Sequence, residues 1–220
     1  MSGGTLAGGL ARLAQWLALA VFYPLAAWPV GRFCAQQNLA QNRARDLTGR
    51  PVLRQMDPET RWLRCGASTA GFAGCGPISV YNVLVLLGRP ASLAEVIFSF
   101  ERSRALALGG RAGSAPRAVG RALRRRGLAC RRVRSAAALE KALAPGGAAV
   151  VMIWNRRGSI TAGAHYFAVQ KSADGGFAAL NHQPQQAPAL AGLIGGGQFA
   201  AGFVIDPPGG QAPAQVPDRQ

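Results

Sequence analysis

The sequence predicts an α+β domain, with helices in its first half and an antiparallel sheet in its second. Three observations carry this. Apolar residues fall in helix-length stretches with cap signals between Cys75 and Leu143. Strand-like apolar runs replace them from Ala148 onward. Asp174-Gly175-Gly176 separates two of those runs as a tight turn, which marks a hairpin. Of the 220 residues, 49% are hydrophobic and 15% charged, which suits one packed core and excludes a disordered chain.

Residues 1–34 are expected to form an apolar N-terminal helix. Within it, the stretch 13–30 (LAQWLALAVFYPLAAWPV) is flanked by Arg12 and Arg32 and carries Trp16, Tyr23 and Trp28, while Gln15 and Pro24 interrupt it. A membrane anchor, a cleaved signal peptide and a helix packed on the domain all fit this pattern. Membrane-associated, cytoplasmic and exported locations therefore stay open. Residues 35–64 are polar and read as a linker wrapping into the domain, which spans 65–206. Residues 207–220, rich in Pro, Gly and Gln, read as a disordered tail.

Inside the domain, CGASTAGFAG (65–74) is small and flexible. Pro77 suits a first helical turn and Gly88 a stop, so Cys75-Gly76-Pro77 opens a buried helix through ISVYNVLVLLG. Ser92 and Glu95 form a capping-box pattern before Leu93, Val96, Ile97 and Phe100. After a Gly-rich loop, Pro116 starts a basic helix that Gly127 ends. Strands are expected at 128–133, 148–154, 165–171, 177–181 and 199–206, with a short helix at 135–143.

The net charge of +16 comes almost wholly from arginine; Lys141 and Lys171 are the only lysines. Such a charge suits an anionic partner, and an anionic membrane surface is one. Arg117, Arg121, Arg124 and Arg125 share a broad helix face opposite Val119 and Leu123, the pattern of a solvated amphipathic helix. No recognition-helix, zinc-finger or RNA-motif signature points to nucleic acid. The four cysteines have no C-x-x-C pair and there are only two histidines, so no metal site and no cofactor is expected.

The residues with chemical promise are Cys75, His165 and Asn181. A cysteine at a helix N-terminus is placed to have its thiolate favoured, and the free N–H groups there, including that of Gly76, can receive an oxyanion. The base must be a histidine, His165 or His182. His165 opens a strand, and the hairpin carries Asn181 back beside it, where its amide oxygen would accept from the imidazole and fix its tautomer.

GCGPISVYNVLVLLG resembles the nucleophile helix of the double-glycine (bacteriocin-processing) peptidases, a branch of the papain-like cysteine peptidases. AHYFAVQ, followed by the turn and ALNH, resembles that family's histidine strand and third-residue strand. The resemblance covers residues 65–206. It implies a papain-like fold and thiol-dependent cleavage of a peptide or protein substrate by Cys75, His165 and Asn181. Two positions depart from the family pattern. Thr69 stands six residues before Cys75, where the family commonly places an oxyanion-hole Gln, and Asn181 stands in place of Asp. A Thr69 hydroxyl together with the Gly76 N–H would then form the oxyanion hole. A catalytically silent binding domain, or an amidase or acyl transferase acting on cell-wall material, would share the same scaffold.

Overall fold

A computed structural model describes residues 3–22, 25, 30–89 and 91–205. The tail expected at 207–220 and part of the apolar stretch, residues 23–24 and 26–29, lie outside the described residues. The chain opens with helix α1 (Gly3–Leu17), continued as a π-helical stretch, Ala18–Phe22, and then α2 (Val30–Arg43). Two short strands follow, β1 (Arg64–Cys65) and β2 (Ser68–Thr69), then α3 (Ala70–Ala73), α4 (Cys75–Leu86), α5 (Leu93–Arg102) and α6 (Pro116–Arg125). The second half holds β3 (Cys130–Val133), α7 (Ala136–Ala142), β4 (Ala148–Arg156), β5 (Ser159–Lys171), β6 (Phe177–Leu180), β7 (Gln186–Ala187), α8 (Leu190–Ile194) and β8 (Gln198–Ile205).

Six strands form one antiparallel sheet in the order β3-β8-β4-β5-β6-β7. The architecture is α+β. Strand alternation puts Tyr166 and Ala168 of β5 on the face packed against α4, and Phe167 and Val169 on the other, over α7 and α8. Helix α4 is buried almost all round: of its residues only Val85 is left partly exposed. That explains why the sequence shows a continuous apolar run here rather than a one-sided stripe. Helix α5 begins as expected, with the Ser92 hydroxyl accepting from the Glu95 N–H at 3.0 Å. In α6 Val119 and Leu123 are buried while Arg117, Arg121, Arg124 and Arg125 are exposed.

The stretch expected to be a linker differs most. Its first part is helical, with α2 reaching Arg43, and Asn38 and Asn42 are buried. Asn38 donates to Glu101 (2.7 Å) and to the Gly66 carbonyl (2.9 Å), and Asn42 brackets Arg64, so α2 is joined to α5 and β1 by polar groups. Such bonds leave no apolar periodicity to read. The flexible stretch 65–74 is likewise ordered, as β1, β2 and α3. Among the described residues no helix is long and apolar enough to cross a membrane, and all four cysteines are free thiols.

Candidate active site

Cys75 is the first residue of α4, after Gly74 at the cap position. Its side chain packs into the main core with Tyr166, on the inner face of the sheet. The register of the hairpin explains what meets the thiol. Strand β6 ends with Leu180 opposite Ala168, so β5 has no neighbour on that edge at His165 and Tyr166. The polar groups of this open edge go elsewhere: the Tyr166 N–H points at the Cys75 sulfur, and the Tyr166 carbonyl accepts from the Asn181 side-chain amide at 3.4 Å.

Burial pushes the Cys75 thiol up from its ordinary value, while the N–H groups of Tyr166, Gly76 and Cys75 itself pull it down. Burial wins. Gly76 is obligatory for space: a Cβ there would lie 2.5 Å from the Ser114 hydroxyl. The Thr69 side chain is half-buried and makes no cap hydrogen bond to α3.

His165 lies on β5 immediately before Tyr166. Its Nε2 is 2.5 Å from the main-chain carbonyl of Asn181. A carbonyl only accepts, so Nε2 carries the proton and Nδ1 keeps the lone pair. Here the structure corrects the expected detail: the acceptor is the Asn181 backbone, not its amide oxygen. The cause is local. Asn181 takes φ 63°, in the left-handed region that asparagine tolerates, and this turns the chain off β6 and aims its carbonyl at the ring. The side chain is used differently. Its Oδ1 accepts from the Gln55 N–H at 2.7 Å and its Nδ2 reaches the Gln55 Oε1 at 3.3 Å.

His182 is partly buried rather than an exposed neighbour. It stacks on Phe167, with ring centroids 4.0 Å apart, and lies 5.7 Å from the His165 ring; its Nε2 bonds the Leu193 carbonyl. Burial first, then His182, lowers the His165 pKa against the opposing pull of the Asn181 carbonyl. Thiol and imidazole are thus both held in their neutral forms. Among the described residues no hydrogen bond joins the Cys75 thiol to the His165 ring; the contact between the two elements runs through the Tyr166 N–H.

The residues that sequence reasoning missed are in a strap at 50–55. On one side the strap is tied to α4: the Val52 N–H and carbonyl both bond the Asn82 side chain at 2.8 Å, and the Tyr81 hydroxyl donates to the Arg50 carbonyl. On the other it holds Asn181, through the Leu53 carbonyl and Gln55. The Gln55 amide also donates to the Gly71 carbonyl at 2.8 Å. The strap therefore couples the thiol's helix to the histidine's anchor. A glutamine does stand beside this site, but twenty residues before Cys75 rather than six. Nothing in its local pattern marks it, because its role rests on contacts made far along the chain.

Among the described residues no group of side chains could hold a metal ion. In comparisons with known proteins, no family model matches the chain, and no curated protein and no solved structure matches it.

Proposed function

We propose that this chain is a thiol-dependent peptidase of papain-like fold, with Cys75 as nucleophile, His165 as base and Asn181 as the group that orients it. One observation carries the reading. A helix-N-terminal thiol meets the open edge of β5 at the residue next to a histidine whose Nε2 is committed to a carbonyl. That commitment leaves Nδ1 as the nitrogen that can accept a proton.

In the proposed reaction the thiol proton passes to His165 Nδ1 as the sulfur attacks the peptide carbonyl carbon. The developing oxyanion is received by the N–H groups of Cys75 and Gly76, with the Thr69 hydroxyl as a further donor. Collapse breaks the C–N bond, and the leaving amine takes the proton from His165. Water then hydrolyses the thioester, giving up a proton to the same nitrogen. Because burial favours the neutral pair, the proton moves during attack rather than before it.

A second reading is a silent binding domain on the same scaffold. The buried thiol and the missing direct bond between Cys75 and His165 favour it. Alkylation of Cys75 by iodoacetamide across pH, in the wild type and in His165→Ala, separates the two. Reaction that slows on removing His165 supports the peptidase. Reaction that is indifferent to His165 at every pH removes it.

A further inference from the structure

We infer that α1 is an in-plane membrane-surface helix, and that the arginines beside it grip the headgroups of an anionic phospholipid bilayer. The inference is independent of the thiol.

Helix α1 is inverted with respect to an ordinary packed helix. Leu10, Leu13 and Leu17, at spacings of three and four, are 67%, 52% and 43% exposed, and Trp16 is 60% exposed. The residue turned inward is Gln15, only 3% exposed, and neither atom of its amide has a hydrogen-bond partner. Ala11 packs at Gly158 in the turn between β4 and β5, and Leu19 lies against the main core. A helix that buries an unsatisfied amide and presents leucines to water is arranged the wrong way for an aqueous surface. It is arranged correctly if its outer face meets hydrocarbon. With its inner face on the domain, it lies along a bilayer surface rather than across it.

The neighbouring surface says which bilayer. A cleft of about 390 Å³ opens between the end of α1 and the sheet, lined by Trp16, Leu19, Arg117, Arg132 and Arg134 among others. All three arginines are exposed and none has an ion-pair partner among the described residues; no carboxylate lines the cleft. Arg12, on α1 itself, is exposed as well. Unpaired guanidinium groups at the foot of an apolar face match phosphate at the boundary of the acyl layer. Trp16 has the amphipathic ring that favours this depth. A second copy of the same chain is a poorer occupant, since it would bring a net charge of +16 against another +16.

The test is flotation of the full chain with vesicles of phosphatidylcholine alone and of phosphatidylcholine with phosphatidylglycerol in equal parts, with light scattering of the free protein. The expected result is binding to the anionic vesicles only, weakened by salt. Arg117→Gln, Arg132→Gln and Arg134→Gln should each lower it about fivefold. Leu13→Gln with Leu17→Gln should abolish it while circular dichroism stays unchanged. Several results would overturn the inference: no binding, equal binding to neutral vesicles, indifference to the leucine changes, or a dimer in solution that those changes dissolve.

Discussion

Around Cys75 every residue of α4 except Val85 is buried, and of the polar groups that come inside Asn82 holds Val52, Ser79 holds the Cys75 carbonyl and Asn181 holds Gln55, the Ser114 hydroxyl alone among these neighbours having no partner. Helix α1 has the reverse arrangement, with leucines outside and an unpartnered Gln15 inside. The difference teaches how to read each region. Where apolar groups are covered and polar groups are paired, the structure is complete and a substitution reports on stability or chemistry. Where both rules fail together, part of the surroundings is missing, and a substitution reports on what supplies it.

The comparison breaks first at the thiol. Cys75→Ala should abolish peptide hydrolysis, a loss on the order of a millionfold if the sulfur is the nucleophile, with little change in Tm because a small side chain is replaced by a smaller one. Retained hydrolysis would remove Cys75 from the mechanism. Next comes Gly76→Ala. Its new methyl collides with the Ser114 hydroxyl, so stability should fall by about 1–3 kcal/mol. Denaturant titration measures this, and Ser114→Gly in the same chain should restore much of it.

Asn181 sharpens the picture further. Asn181→Gly keeps the left-handed backbone and the carbonyl that holds His165, and loses only the bonds to Gln55 and Tyr166, about 1–2 kcal/mol. Asn181→Ala should lose that and a further 1–2 kcal/mol or so for its strained backbone. If the carbonyl is what orients the ring, the glycine variant keeps the greater activity; equal loss in both would transfer the role to the side chain.

Acidification gives a smaller effect. Burial lowers the pKa of both His165 and His182 below the ordinary imidazole value of 6.5, so the unfolded chain binds more protons than the folded one in that range. Stability should therefore fall as pH drops below the ordinary imidazole value of 6.5; Tm as a function of pH through that point measures it, and the His165→Gln, His182→Gln double variant should flatten it. Smallest of all, Leu13→Gln and Leu17→Gln should each leave the stability of the free protein within about 0.5 kcal/mol, since both residues are already exposed on the surface.

Most elements of the domain were legible, because each has a local cause. Ser92 caps α5 by accepting from the Glu95 N–H, while the Glu95 carboxylate turns to Arg43; Pro116 and Gly127 bound α6, and Asp174-Gly175-Gly176 closes the hairpin of β5 and β6. The pairing of His165 with position 181 followed from that hairpin. Three things were not legible. Helix α2 is docked through Asn38 and Asn42, and polar docking has no apolar period. Which atom of Asn181 meets the ring depends on one backbone torsion. The strap at 50–55 acts only through partners at Tyr81, Asn82 and Asn181, distant in sequence.

The bond between the Gln55 N–H and Asn181 spans 126 positions of the chain. Closing so long a loop costs entropy that nearby contacts do not recover, so this clasp belongs to the slow, non-local part of folding. During synthesis Cys75 emerges 90 residues before His165 and 106 before Asn181. A nascent chain therefore carries Cys75 without His165 and Asn181 until most of the domain has been translated, and the proposed site can be assembled only after that.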